Sequence, residues 1–132
     1  MMLNVDIIPC LSDNYSYLLH DKKTNTVAIV DPSDFSQCNK EIQKKYKKLD
    51  YILNTHHHFD HIGGNQELKK KYGAKILGFE KDKARIPGID RGLIENEKFK
   101  IGDITFKVIF IPGHTNGHVA FYSKNESIVF TG

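Results

Sequence analysis

The chain has little cysteine, and this shortage excludes the disulfide-stapled class of small domains. Only Cys10 and Cys38 occur among its 132 residues, too few for a disulfide framework and without the close spacing of metal-binding cysteines. We expect two reduced thiols in a cytosolic protein, with a single Cys10–Cys38 bridge as the alternative. The length fits one domain over residues 1–132, and such a domain can bury a core without disulfides or a structural metal.

The chain also lacks long apolar segments. No run approaches the roughly 20 residues that a membrane-spanning helix requires. Residues 1–6 have neither a basic region nor a long apolar stretch, so we expect no secretory signal. The sequence shows no internal repeat, low-complexity segment or linker. These features predict a cytoplasmic domain with no membrane partner.

Lysine is plentiful and clustered. The net charge is +3, and lysines crowd residues 44–48 and 69–71. Such clusters can contact nucleic acid. They fall in predicted helices, however, with Tyr46 and Tyr72 as their only aromatic neighbours, and 16 acidic residues offset them. We interpret them as solvated helix faces and expect no nucleic-acid partner.

Turn residues separate short apolar runs along the whole chain, a pattern typical of a mixed α/β domain. Residues 80–97 are polar and are predicted to be irregular. The order of elements is typical of a mixed sheet flanked by helices. We predict helices at 34–46 and 65–72, the second stopped by Gly73, and strands at 3–8, 15–19, 26–30, 50–54, 75–79, 99–101, 104–111, 119–123 and 127–130.

Four of the seven histidines lie in one short segment, residues 55–61, which reads Thr-His-His-His-Phe-Asp-His. The segment joins a predicted strand to a predicted helix, a position where α/β folds commonly keep their sites. Each buried imidazole needs a polar partner, and imidazole with carboxylate suits zinc, iron or manganese. The segment therefore predicts a metal site rather than a coincidental polar loop.

Spacing within this segment assigns provisional roles. If the backbone leaving the strand stays extended, His56 and His58 point the same way and His57 points the opposite way. We expect the first two to share a metal and His57 to support them or pack behind them. Asp60 and His61 come where the chain turns into the helix, so they can face a second position.

A second histidine-containing loop, residues 112–118, reads Pro-Gly-His-Thr-Asn-Gly-His. His114 could complete a three-histidine set, which with one water molecule suits catalytic zinc and lowers the pKa of that water to about 7. His118 begins a predicted strand, where a structural hydrogen bond is favoured over ligation. His20, at the end of another predicted strand, is expected to be exposed.

Both histidine loops resemble the two metal-binding motifs of the metallo-β-lactamase superfamily. Three further segments are similar to the glyoxalase II family, the hydroxyacylglutathione hydrolases: residues 11–19 (LSDNYSYLL), 30–32 (VDP) and 85–90 (RIPGID). The resemblance extends over essentially the whole chain. It implies an α/β fold, the αββα sandwich, with two adjacent metal sites.

The resemblance also implies roles for named residues. His56, His58 and His114 would hold the first metal, and Asp60 and His61 would hold the second. A hydroxide between two zinc ions, or ions of iron or manganese, would attack the thioester carbonyl of S-lactoylglutathione. Glutathione leaves as a thiolate, which needs no strong general acid, and Asp60 would be catalytic by orienting the nucleophile.

The family pattern continues past Gly132 with an aspartate that bridges the metals, a later histidine and a helical region that contacts glutathione. The resemblance therefore implies the N-terminal half of the sandwich, and Asp60 and His61 alone are too few ligands for tight binding of a second metal. Uncovered apolar sheet surface would favour self-association. A truncated gene product, an engineered fragment and a chain that pairs to rebuild the missing half all stay open.

Three functions fit this sequence. The first is a metal-dependent thioester hydrolase, impaired by the missing half, whose substrate is a small glutathione conjugate. The second is a persulfide dioxygenase of the same fold, whose single iron needs fewer ligands. The third is a non-catalytic metal-binding or interaction module.

Overall fold

The computed structural model describes residues 3–11, 14–111 and 118–132, with Phe59 described by its backbone alone. A 3-10 turn lies at Glu80–Asp82. The elements follow in chain order as β1 (Leu3–Cys10), β2 (Asn14–Asp21), β3 (Thr26–Val30), α1 (Phe35–Lys45), β4 (Tyr51–Leu53), α2 (Phe59–Ile62), α3 (Asn65–Tyr72), β5 (Lys75–Phe79), β6 (Arg91–Leu93), β7 (Lys98–Ile101), β8 (Ile104–Phe110), β9 (Val119–Ser123) and β10 (Ile128–Phe130).

These strands form two sheets. The first has the order β1-β2-β3-β4-β5-β6, antiparallel from β1 to β3 and parallel from β3 to β6. The second has the order β10-β9-β8-β7 and is antiparallel throughout. Parallel neighbours need crossover connections, and α1 supplies one between β3 and β4 while α2 and α3 supply the next.

Strand β3 shows how the first sheet is buried on both faces. Val27 and Ile29 pack with the helices, whereas Ala28 and Val30 pack against the second sheet. A strand covered on both sides is apolar at every position, which explains why residues 27–30 form an unbroken apolar run.

Helices α1 and α3 cover the outer face of the first sheet. Cys38 and Ile42 of α1 and Leu68 of α3 are fully buried there. The Asp34 carboxylate caps α1 by accepting the N–H of Gln37 at 3.0 Å. None of the helices in the described ranges is long and apolar enough to cross a membrane.

The two sheets pack face to face through an aromatic core. Phe99 stacks on Phe106 with ring centroids 5.8 Å apart and meets Phe121 edge-on at 5.7 Å. The layer order is therefore helix, sheet, sheet, which is the αββα sandwich without a second helical layer in the described residues.

Most predicted elements agree with the structure, and the differences have local reasons. Strand β1 continues through Pro9 because it is an edge strand, where proline's missing N–H costs no ladder bond. The prediction of irregular structure over residues 80–97 is wrong at β6, which pairs in parallel with β5. The element order pointed to one mixed sheet, whereas the strands divide between two sheets, as the resemblance to the αββα sandwich implied.

The outer face of the second sheet is more polar than the sequence led us to expect. It presents Lys98 and Lys107 beside Tyr122 around a shallow cavity of about 370 Å³. Val129, at 48% exposure, is the register partner of Tyr122 and adds an apolar side chain to this face, whereas Ile7, at 61% exposure, lies on β1. Self-association through an apolar sheet face stays a prediction.

Candidate metal centre

The centre lies at the carboxyl ends of the parallel strands β3 and β4, which are neighbours in the first sheet. The N–H of Asp31, just past β3, donates to the carbonyl of Leu53 at the end of β4 at 2.8 Å. Residues that follow these two strands are therefore neighbours. Asp31 has a φ of 51°, a left-handed conformation that aspartate tolerates better than most residues, and this turn brings it beside the histidine segment.

Asp31 is the hydrogen-bonding hub of the centre. Its Oδ1 accepts the backbone N–H of Thr55 at 2.8 Å. Its Oδ2 accepts the Thr55 hydroxyl at 2.6 Å and lies 3.1 Å from Nδ1 of His61. The side chain is 1% exposed, and a carboxylate at such depth is tolerated only with donors of this kind around it.

These bonds select the tautomers of two histidines. Because the Thr55 hydroxyl gives its proton to Asp31, its oxygen acts as acceptor for Nδ1–H of His56 at 2.9 Å. Nδ1 of His61 likewise donates to Asp31. In both rings Nε2 is then the nitrogen with a lone pair for a metal, the arrangement by which carboxylates orient ligating histidines.

The imidazole rings converge. The His56 ring centroid lies 4.1 Å from that of His61 and 4.9 Å from that of His58. Asp31, His56 and His61 each place a ligand-type atom within 4.8 Å of the others. Since both Asp31 oxygens already accept hydrogen bonds, we interpret Asp31 as the group that orients the rings and the histidines as the metal-facing donors. Converging imidazoles fit zinc, and also iron and manganese.

Asp60 faces the same space from α2. Its Oδ2 lies 3.8 Å from Nε2 of His61. Asn14 of β2 fixes it, because Nδ2 of Asn14 donates to both the backbone carbonyl and Oδ2 of Asp60 at 3.0 Å. The hydrogen bond from Asn14 lowers the pKa of Asp60 below its usual value, and burial opposes this only partly. Asp60 is therefore an anion ready to face a cation.

His61 shows the opposite effect. Burial acts to lower its pKa, but the hydrogen bond and the negative charge of Asp31, with a smaller contribution from Asp60, raise the pKa above its usual value. The ring is thus held among carboxylates that favour a positive charge at this position.

The remaining histidines have other hydrogen-bond partners. His57 points away from the cluster, with Nδ1 3.3 Å from Oδ2 of the buried Asp82. His118 forms the structural hydrogen bond that the sequence predicted, from Nε2 to the carbonyl of Thr131 at 2.6 Å, and its ring lies 4.4 Å from that of His56. His20 is half-buried against Tyr46 rather than exposed. His114 lies outside the described residues.

The sequence did not predict roles for three residues of the centre: Asp31, Asn14 and the hydroxyl of Thr55. A signal existed for Asp31, since a carboxylate directly after an unbroken apolar strand must either turn to solvent or find donors. Asn14 had no such local signal, because its partner lies 46 residues away.

A small open cavity of about 180 Å³ adjoins the centre. It is lined by Asn14, Tyr15, Tyr17, His61 and Gly132. The cluster is therefore reachable from solvent on the side of Asn14 and His61.

Comparison with known proteins identifies a family for this chain. The family model described as the metallo-beta-lactamase superfamily matches residues 12–132. A hydroxyacylglutathione hydrolase of Pelagibacter ubique is 48% identical over 130 residues, covering 98% of this chain and 54% of the relative. Its counterpart from Methylococcus capsulatus is 42% identical, covering 99% of this chain and 51% of the relative. The chain spans about half the length of the curated relatives it matches.

Solved structures are similar in fold. The BLEG-1 B3 metallo-beta-lactamase superimposes with a TM-score of 0.86 and 25% identity, over 98% of this chain and 71% of that chain. ETHE1 from Myxococcus xanthus gives a TM-score of 0.80 and 23% identity, over 100% of this chain and 57% of that chain. At such identity the second similarity concerns the fold alone.

Proposed function

The chain belongs to the metallo-β-lactamase superfamily, and we propose that it is the metal-binding portion of a hydroxyacylglutathione hydrolase, which hydrolyses the thioester of a small glutathione conjugate. The relatives that match 98–99% of the chain carry that name. This chain covers only 51–54% of those relatives. The activity of the whole enzyme is therefore a proposal for this chain.

One observation carries the proposal from the structure. Asp31 and Thr55 together hold Nδ1 of His61 and Nδ1 of His56, so that both rings present Nε2 to one space beside Asp60. A set of histidines packed only for stability would not need two of them held in matching tautomers around a buried carboxylate.

We assign the ligands as follows. His56, His58 and His114 would hold a first metal, and Asp60 and His61 would contribute to a second. Zinc is our first choice, with iron and manganese as alternatives. A bound ion would supply Lewis-acid chemistry, polarising the thioester carbonyl and lowering the pKa of a water molecule to about 7.

The chain's own residues prepare this chemistry. Asn14 keeps Asp60 ionised and fixes the direction of its carboxylate, so Asp60 can accept a proton or a hydrogen bond from the attacking water. The thiolate leaving group needs no strong general acid. A glutathione conjugate and two reduced thiols both suit the cytosol, which we propose as the compartment.

The test is hydrolysis of S-lactoylglutathione by the purified chain with zinc, iron or manganese supplied, followed by release of free thiol. We expect turnover that disappears in the double variant His56→Ala, His58→Ala. His20→Ala is the matched control, because His20 lies outside the centre against Tyr46. Turnover that survives the double substitution would overturn the proposal.

Metal analysis separates the hydrolase from a non-catalytic metal-binding module. The module predicts close to one bound metal per chain and no turnover with any of the three metals. If the chain is a hydrolase, turnover should rise with metal content. The double variant His56→Ala, His58→Ala should then lose both the bound metal and the turnover. A metal-loaded chain without turnover would favour the module.

A further inference from the structure

The two cysteines of the chain meet on the helix side of the first sheet, although 28 residues separate them. Cys10 is the last residue of β1 and Cys38 lies in α1. Their sulfur atoms are 3.8 Å apart, and both thiols are free. A disulfide requires about 2.05 Å between the sulfurs, so closure needs a movement of less than about 2 Å, within the range of side-chain rotation.

The surroundings of Cys10 favour its reactive form. The thiol of Cys38 donates toward Cys10, and this contact lowers the pKa of Cys10 below its usual value against the opposing effect of burial. The Asp34 charge opposes this effect, and a contact with the Asp34 backbone adds to it. The Ser16 hydroxyl lies 3.5 Å from the same sulfur. The same pairing and burial raise the pKa of Cys38. The two sulfurs are thus unequal, and Cys10 is the one suited to attack first, with Cys38 beside it.

We propose that Cys10 and Cys38 form an oxidation site, in which a small hydroperoxide converts the pair to a reversible intrachain disulfide that ties β1 to α1. Only a small oxidant can reach the pair, because Cys10 is only 2% exposed and Cys38 is fully buried. Bulkier disulfides cannot reach either sulfur without opening of the fold.

The chemistry balances in two steps. The Cys10 thiolate attacks one oxygen of hydrogen peroxide, the O–O bond breaks, and Cys10 sulfenic acid and hydroxide form. The Cys38 thiol then attacks the sulfenic sulfur, the S–O bond breaks, and water leaves as the S–S bond forms. Two sulfurs together lose two electrons and the peroxide gains them. Two equivalents of a small thiol reverse the change by forming their own disulfide.

The pair is connected to the candidate metal centre by two short routes. Cys10 is the register partner of Asn14, which holds Asp60. Ser16, beside the Cys10 sulfur, donates to the backbone carbonyl of Asp31 at 2.7 Å. Closure changes the contacts of the Cys10 side chain with these neighbours, and Ser16 and Asn14 would transmit that change to Asp31 and Asp60. We expect metal affinity to differ by up to about tenfold between the oxidised and reduced chains.

The experiment treats the native chain with hydrogen peroxide and measures intact mass and free thiols after unfolding. We expect a loss of about 2 Da, disappearance of both thiols, a monomeric band without reductant, and a raised Tm, since a cross-link constrains the unfolded chain. A small thiol reductant should restore the starting mass. Chelator competition on the two forms then gives their metal affinities.

Two variants identify the order of attack. In Cys38→Ser, peroxide should produce a sulfenic acid at Cys10 that a dimedone probe traps, whereas in Cys10→Ser the remaining thiol should persist. Wild-type chain unfolded in urea is the control for accidental proximity, and its intrachain disulfide should form more slowly. Persistence of both thiols in the native chain, disulfide-linked dimers instead of a monomer, or equal rates when folded and unfolded would each overturn the proposal. Equal metal affinities would overturn the connection to the centre.

Discussion

Asp31 and His61 are 30 residues apart in sequence, yet Oδ2 of Asp31 lies 3.1 Å from Nδ1 of His61. This contact gives the histidine its tautomer, its direction and a raised pKa. It also joins the end of β3 to α2, so the centre is held by the fold and not by the histidine segment alone.

Replacing Asp31 by asparagine should weaken metal binding by about 10–100-fold. Asparagine tolerates the positive φ of this position, so the backbone is retained. Its amide group, however, must meet either the Thr55 N–H or the His61 Nδ1–H, and two donors then face each other. Chelator competition measures the change. Asp103→Asn is the control, because that half-exposed carboxylate pairs with Lys23 at the surface. Equal affinity in both variants would contradict an orienting role for Asp31.

Thr55→Val should damage the centre more than Thr55→Ser. Valine has nearly the same shape but lacks the hydroxyl that donates to Asp31 and accepts from His56. Loss of a buried donor costs about 1–3 kcal/mol of unfolding free energy, and metal affinity should fall with it. Serine keeps the hydroxyl and should preserve metal affinity. Urea unfolding and chelator competition on both variants provide the measurement, and equal metal affinities would argue against this hydrogen-bond chain.

Gly102→Ala should destabilise the chain by about 1–3 kcal/mol. Gly102 has a φ of 61°, and an added Cβ would collide with Oδ2 of Asp21 and Oγ1 of Thr24. The buried Asp21 carboxylate accepts the N–H of Asp103 at 2.8 Å and so links the turns of the two sheets. Gly73→Ala is the matched control, since Gly73 has a φ of 70° with nothing within 4 Å of an added Cβ. If Gly102→Ala and Gly73→Ala lose the same free energy of unfolding in urea, the predicted collision does not destabilise the fold.

Asp90→Asn should lower stability at neutral pH by about 1 kcal/mol or less, because the carboxylate is one-third exposed and partly screened. Burial acts to raise the pKa of Asp90, but the hydrogen bonds from Lys69 and from the N–H of Ile76 lower it below its usual value. The folded-state pKa is thus below the unfolded one, near 3.9. Above the unfolded-state pKa, the ionised carboxylate stabilises the fold. This stabilisation is lost as the pH falls through the folded-state pKa.

Urea unfolding at pH 7 and at progressively lower pH checks the prediction for Asp90. The difference between wild type and Asp90→Asn should be present at pH 7 and shrink below about pH 4. Lys69→Met should reproduce the loss at pH 7, since it removes the cation of the same pair. A stability difference between wild type and Asp90→Asn that grows on acidification would contradict the prediction.

Local patterns were sufficient to predict several elements. Strand β3, helix α3 and strand β5 have the bounds that the sequence predicted. Alternating or unbroken apolar runs and a left-handed glycine at position 73 are properties of neighbouring residues. The histidine segment is equally local, because imidazole and carboxylate within seven residues indicate a metal site in almost any fold.

Other features depended on partners far away in sequence. Strand β6 has only Leu93 as a buried side chain and exists because its backbone pairs with β5. The division into two sheets depends on which strand edges meet.

The sequence by itself therefore determined most of the element order, the histidine-rich loop and the family to which both point. The tertiary structure alone decided that Asp31 and Asn14 hold His61 and Asp60, and that Cys10 meets Cys38. The physical reason is that hydrogen bonds and thiol contacts act over about 3–4 Å, whereas their partners here are 28 to 46 residues apart.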